Sequence, residues 1–189
     1  MISKTLSRYS DAAGVRAQFV KTDAKKTLGT KKSVPGEMRY SDNKINIVLS
    51  GDKKTEIIFN GNNLWLIEYP DLDFDPKGKR KVTEIKDHKP VLAQQIVGLF
   101  QKPEQFLKTF KIISEKNEGK MKIVGLQSKD KAIQNFEVEF NTVKFLINSI
   151  RFTDDVQTET KIEFKETEFL KMPPQDIFNY KRKKDDEVL

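Results

Sequence analysis

The sequence predicts a mainly β fold: a curved antiparallel sheet with helices covering it. Three observations predict it. Apolar residues recur with period two in about ten short runs. Tight-turn signals separate most of these runs, so successive strands pair as hairpins. One stretch in the middle, residues 90–110, switches to helical spacing. Phe dominates the aromatics, 13 against 4 Tyr and 1 Trp, which suits strands around a large apolar interior. A sheet of this many strands tends to curl or close.

Taken in order, residues 3–13 form a short helix with Leu6 and Tyr9 on one side, ended by Gly14. Val15, Ala17 and Phe19 then alternate on one strand face. Residues 21–32 are polar and read as a turn, followed by a strand leading into Val34-Pro35. Pro35 lacks an N–H, which implies an edge or a bulge. Beyond it, Val34, Met38 and Tyr40 share one face, and Glu37 and Arg39 the other. Ile45, Ile47 and Leu49 make the next alternating strand, Gly51-Asp52 a turn, and residues 55–59 its partner. Asn60-Gly61 reads as a type I′ hairpin turn. Residues 64–67 are apolar on both faces, as in a strand covered on two sides.

Residues 70–79 read as a loop and 81–85 as a short strand. The helical segment follows, divided by Pro103 into 90–101 and 103–109. Strands return over 111–114, 120–127, 136–140, 142–147, 149–153 and 161–165, with turns at 117–119 and 154–155. Pro173-Pro174 stops the last strand. The charged tail from Lys181 reads as frayed.

A chain of 189 residues is expected to be one domain over 1–189 with a sizeable core. Net charge is +7, which raises nucleic acid or an anionic surface as partner. The basic residues are mixed with acids, however, and the densest run, residues 77–81, lies in a loop. No aromatic–basic interleaving of an RNA-binding sheet occurs, so no nucleic-acid partner is expected. With no Cys, disulfides and thiolate sites are excluded. No run approaches the roughly 18 apolar residues of a membrane span. Met1-Ile2-Ser3-Lys4 leads into no apolar signal region, so the chain reads as a mature form.

Chemistry is sparse. His88 is the one histidine, and no nucleophile elbow accompanies it. Asp71, Asp73 and Asp75 resemble the start of a calcium loop, but Pro76 and Val82 replace the glycine and glutamate it needs. Glu137 and Glu139 lie opposite Phe136, Val138 and Phe140 and read as outer surface. The expectation is a non-enzyme with no catalytic residue, no metal and no cofactor. The organising stretch is Pro35–Leu72. It is strand-forming, apolar and devoid of reactive groups, and suits a wall that holds something apolar.

In chain order, several motifs resemble the LolA family of periplasmic outer-membrane lipoprotein carriers. They are the N-terminal helix into Ala17-Gln18-Phe19; Pro35-Gly36-x-x-Arg39-Tyr40; Asn60-Gly61-Asn62-Asn63-Leu64-Trp65-Leu66-Ile67; Pro70-Asp71-Leu72; the segment opened by Lys89-Pro90-Val91-Leu92; Ile150-Arg151-Phe152-Thr153-Asp154; and Lys161-Ile162-Glu163-Phe164. Together they span roughly residues 5–175. The resemblance implies an unclosed antiparallel β-barrel of about 10–11 strands, with helices as a lid (1–14 and 90–110) over a hydrophobic cavity. It also implies a periplasmic monomer. Such a carrier takes acylated lipoproteins from an inner-membrane ABC transporter and passes them to an outer-membrane acceptor.

On that reading the acyl-chain cavity is lined by Phe19, Val34, Met38, Tyr40, Ile47, Leu64 and Trp65, with Leu92, Ile96, Val97 and Phe100 beneath the lid. Arg39 is a candidate lid or partner contact. Many family members carry Arg immediately before the proline, where this chain has Val34. Two alternatives stay open: the same-fold outer-membrane lipoprotein acceptor, and a generic lipid-binding or anionic-surface-binding module.

Overall fold

A computed structural model of the protein describes residues 2–71, 73–85, 110–128, 133–154 and 156–189. Twelve strands and one α-helix are formed among them. The helix α1 (Ile2–Ser10) is followed by β1 (Gly14–Lys25), β2 (Thr30–Ser41), β3 (Lys44–Ser50), β4 (Lys54–Phe59), β5 (Leu64–Glu68) and β6 (Lys81–Ile85). After these come β7 (Phe110–Glu118), β8 (Met121–Ser128), β9 (Ile133–Asn141), β10 (Leu146–Asp154), β11 (Thr158–Leu170) and β12 (Glu187–Val188). All twelve form one unclosed sheet in the order β12-β6-β5-β4-β3-β2-β1-β11-β10-β9-β8-β7. The open antiparallel architecture is the expected one, with a longer sheet than the 10–11 strands anticipated.

Every hairpin neighbour pairs antiparallel, and β1 joins the two halves by pairing with β11 as well as β2. That central position explains why β1 runs on to Lys25 where the polar sequence reads as a turn. Ladders on both sides hold its backbone, and tertiary pairing overrides weak strand propensity. The helix stops at Ser10 rather than residue 13, with the Asp11 N–H on the Ser7 carbonyl at 2.8 Å. Phe110 opens β7 instead of closing a helix, and its ring lies 5.3 Å from that of Phe136. Residues 142–145 form a turn that precedes β10. The Asn141 side chain holds it by accepting from Val143 and Lys144 N–H at 3.1 and 2.9 Å. The predicted helices over 90–109 and His88 lie outside the described residues.

Two turns differ from expectation. Residues 60–63 form a longer loop in which Asn60 Oδ1 accepts from Asn62 and Asn63 N–H at 3.0 and 2.9 Å. Of its residues only Gly61 has positive φ. The tight two-residue turn with left-handed backbone at both positions is Asp42-Asn43, φ 42° and 63°, as a type I′ turn requires. Pro35 is the first β2 residue beyond the reach of β3, whose ladder begins at Gly36↔Leu49. The missing N–H thus falls where β2 is locally an edge on that side.

Register assigns the faces. Val15, Tyr40, Ile45, Phe59 and Leu64 align across β1–β5, and Ala17, Met38, Ile47, Ile57 and Leu66 form the next row on the same face. This inner face continues through Phe164, Ile162, Ile150, Phe152, Val138, Phe136 and Val124 into one large buried cluster. The helix packs on its end: Leu6 and Tyr9 are buried in the cluster. Tyr9 Oη accepts the Ile147 N–H at 3.1 Å, and its ring meets Phe169 edge-on at 5.2 Å. Burial pushes the Tyr9 phenol up from its ordinary pKa.

Candidate functional site

Four of the residues anticipated for an apolar wall lie together in one buried cluster on the inner face, Phe19, Met38, Tyr40 and Ile47, and a fifth, Leu64, is buried on the same face opposite Phe59. Val34 shares their face by parity and is half-buried two residues past Gly36. Gly36 has a steric role here. A Cβ on it would come within 2.5 Å of Phe19 Cζ and 3.0 Å of the Val48 carbonyl oxygen. The glycine leaves room for the Phe19 ring beside the β2 backbone, and that ring meets Phe164 edge-on at 6.3 Å. Leu92, Ile96, Val97 and Phe100 lie outside the described residues.

Going away from α1 along β1, the inner face turns polar. Lys21 stands opposite Val34 and Ile162, and Asp23 opposite Lys32 and Thr160. The buried Thr160 hydroxyl donates to Asp23 Oδ1 at 2.7 Å, and the Lys21 ammonium donates to Asp23 Oδ2. Sequence reading missed this set. Its signal was the unbroken period two from Phe19 through Lys21 to Asp23.

The outer face divides in two. Over β1 and β9–β11 it carries paired charges such as Arg151–Glu137 and Lys161–Glu163–Lys165. Hydrogen bonds from Lys165 and Lys161 pull the Glu163 carboxyl down to about 2. Over β3–β6 the outer face is apolar, with Ile58, Ile67 and Val82 buried and Trp65, Tyr69 and Tyr180 against them. The C-terminal segment supplies this cover. Phe178 in a 3-10 turn (Asp176–Phe178) is fully buried. The Ile177 carbonyl accepts from Asn46 Nδ2 at 3.2 Å, and β12 pairs parallel with β6. Arg80 clamps Asp186 through Nε and Nη2 at 2.7 and 2.6 Å, and Tyr180 Oη donates to the same carboxylate at 2.7 Å. The Asp186 side chain is 1% exposed. The Arg80 guanidinium holds its carboxyl far below the usual carboxylate range. Burial and then the Asp186 carboxylate push the Tyr180 phenol up. The tail from Lys181, expected to fray, is therefore pinned.

Along its length the sequence matches the family described as "Outer membrane lipoprotein carrier protein LolA", over residues 10–181. The chain belongs to the LolA family. No curated protein matches it by sequence. Among solved structures, this LolA-family chain is similar to an uncharacterized conserved protein of Thermus thermophilus. The identity is 8%, the TM-score 0.55, and the match covers 100% of this chain and 97% of the other. It is also similar to a LolA superfamily protein of Nitrosomonas europaea (10% identity, 94% and 97% covered, TM-score 0.46). A third match is a DUF1329 family protein of Desulfovibrio piger (7%, 95% and 95%, TM-score 0.49). The Thermus likeness is one of fold.

One site residue of this LolA-family chain needs correction. Trp65 does not join Met38 and Tyr40. It stands opposite Ile58 on the outer face, its ring centre 5.9 Å from that of Tyr180. Leu64 occupies the inner position of that strand, and strand parity sends the next residue to the opposite side. Arg39 lies on the outer face, as its parity with Glu37 predicts, and is bonded to Glu37 at 2.7 Å. The Glu37 carboxylate, which Arg16 also engages at 2.6 Å, sits between the two guanidinium groups. Among the described residues no His, Cys, Asp or Glu cluster is arranged to hold a metal. Asp71 Oδ1 instead accepts the Asp73 N–H at 3.1 Å within its own loop. No described helix is long and apolar enough to cross a membrane.

Proposed function

We propose that this protein is a periplasmic carrier of acylated lipoproteins, and that the inner face of its sheet holds their acyl chains. On this reading it acts as a single domain and a non-enzyme without cofactor. It receives cargo from an ABC-type transporter in the inner membrane and hands it to an acceptor at the outer membrane. The observation that carries the reading is the continuous apolar inner face of an unclosed sheet in a LolA-family chain. Each buried methylene is worth about 0.8 kcal/mol, so one long acyl chain is worth on the order of 10 kcal/mol. A lipoprotein needs such a cover to cross water. Met38 at the centre of the wall adds an adaptable thioether suited to varied chains.

The test is incubation with a membrane-released, triacylated lipoprotein followed by size exclusion. A soluble 1:1 complex is the expected result. Met38→Glu, which puts a carboxylate at the centre of the face, abolishes that complex while far-UV circular dichroism stays native. No complex with the unaltered protein, or a full-strength complex with a folded Met38→Glu protein, overturns the reading.

A further inference from the structure

The apolar wall has a polar end, and its composition selects a kind of head group. We propose that Lys21, Asp23 and Thr160 form a station for the uncharged polar head of an acylated ligand, one offering ester or amide carbonyls and no phosphate. This rests on the carrier reading above and names which ligand end sits where.

The distances fit. From Val15, beside α1, to Lys21 the inner face of β1 runs six residues, about 20 Å at strand rise. One acyl chain of a membrane lipid occupies half of a roughly 30 Å hydrocarbon core, so a chain laid from the helix end along Ala17 and Phe19 brings its head to Lys21.

The chemistry fits as well. The Asp23 carboxylate spends one oxygen on the Thr160 hydroxyl and the other on the Lys21 ammonium. An ammonium carries three donors, so two remain on Lys21 to meet carbonyl oxygens. The pair sums to zero charge, with its anion fixed in place by two partners, and Lys32, opposite Asp23 on β2, is engaged by Asp52 at 2.7 Å. A phosphodiester would have to sit beside that carboxylate, and like charges at this range in a partly covered site cost strongly. A glyceryl ester or peptide amide meets no such penalty. Lys21 and Asp23 are 25% and 33% exposed, and Thr160 is buried. The set is thus reachable from solvent yet anchored in the core. A carrier working between two membranes gains selectivity for acylated protein over bulk phospholipid.

The experiment is displacement of an apolar naphthylamine dye by two ligands. One is a diacylglyceryl lipopeptide with an uncharged peptide, the other phosphatidylglycerol of matched chain length. The unaltered protein prefers the lipopeptide. Asp23→Asn keeps an acceptor for Thr160 but removes the anion, and moves the preference toward phosphatidylglycerol by on the order of tenfold or more. Lys21→Gln leaves the anion alone and moves the preference the other way. A merely structural role would shift both variants in the same direction. Should Asp23→Asn fail to fold, the Lys21→Gln shift decides the matter by its sign. Unchanged or like-signed preference in the folded variants overturns the station and leaves the carrier reading standing. Failure of both ligands to displace dye from the unaltered protein overturns both.

Discussion

Gly36 concentrates the residue-scale logic of the wall. The motif Pro35-Gly36 looks like turn chemistry in the sequence, yet both residues lie inside β2. The glycine is needed for space, because Phe19 occupies the volume above it. Gly36→Val therefore forces the Phe19 ring or the neighbouring strand to move. The expected loss is about 1–3 kcal/mol of stability, read as a lower denaturation midpoint with unchanged slope. Trp65 offers a second check. It packs against Tyr180 on the outer face. Its fluorescence should stay constant when an acyl ligand fills the inner face and shift to the red when residues 180–189 are removed. A red or blue shift on ligand binding would put the indole on the ligand side. Strand periodicity made the two faces of β5 legible in the sequence, since Leu64 and Ile67 are both apolar. What periodicity could not give was which face met which partner, and so Trp65 was expected beside Met38.

At the scale of elements, the tail and the bulge in β11 decide the architecture. A sheet with Ile58, Trp65, Ile67 and Val82 on its outer side cannot stand bare to water over so wide a patch. The segment from Pro173 onward covers it and is fastened at its far end by Arg80 and Asp186. Asp186→Asn keeps the shape and removes the charge that Arg80 and Tyr180 address. Deeply buried pairs lose 3–5 kcal/mol when one partner is removed. This pair lies under a single covering segment at the molecular edge, so about 1–2 kcal/mol is expected, with amide exchange in β6 and β12 accelerating first. The bulge works differently. Ile162 and Phe164 face inward, and strict alternation would send Glu166 and Glu168 in after them. The register shift opposite Gln18 and Phe19 resets the strand, so that Thr167 aligns with Ala17 and Phe169 with Val15. Glu166 and Glu168 are left exposed on the outside.

For the whole molecule, acid is the informative stress. Asp186 and Glu163 both have folded-state pKa values held below those of the unfolded chain. A depressed carboxyl contributes stability that is fully present above its unfolded pKa, about 4, and is lost as pH falls through the folded value. Stability should thus fall between about pH 4 and pH 2. Much of that dependence should vanish in Asp186→Asn. Glu163 is half-exposed and screened, so its share is small. Denaturant midpoints at pH 7, 4 and 3 check this. A pH dependence identical in the Asp186→Asn protein would show that the clamp carries no linkage.

The sequence by itself determined the class of fold and most of the strands, because period-two alternation is a local consequence of burying one side of a pleated sheet. It also determined the character of the wall: Phe19, Met38, Tyr40, Ile47 and Leu64 are apolar wherever they point, and no reactive group stands among them. Only the tertiary structure decided the pairing of β1 with β11, the far reach of β1, and the use of a charged tail as cover. Each of these depends on contacts between residues distant in the chain, such as Asp23 with Thr160 and Arg80 with Asp186. A lysine or aspartate reads as solvated surface until its partner, more than a hundred residues away, is brought beside it.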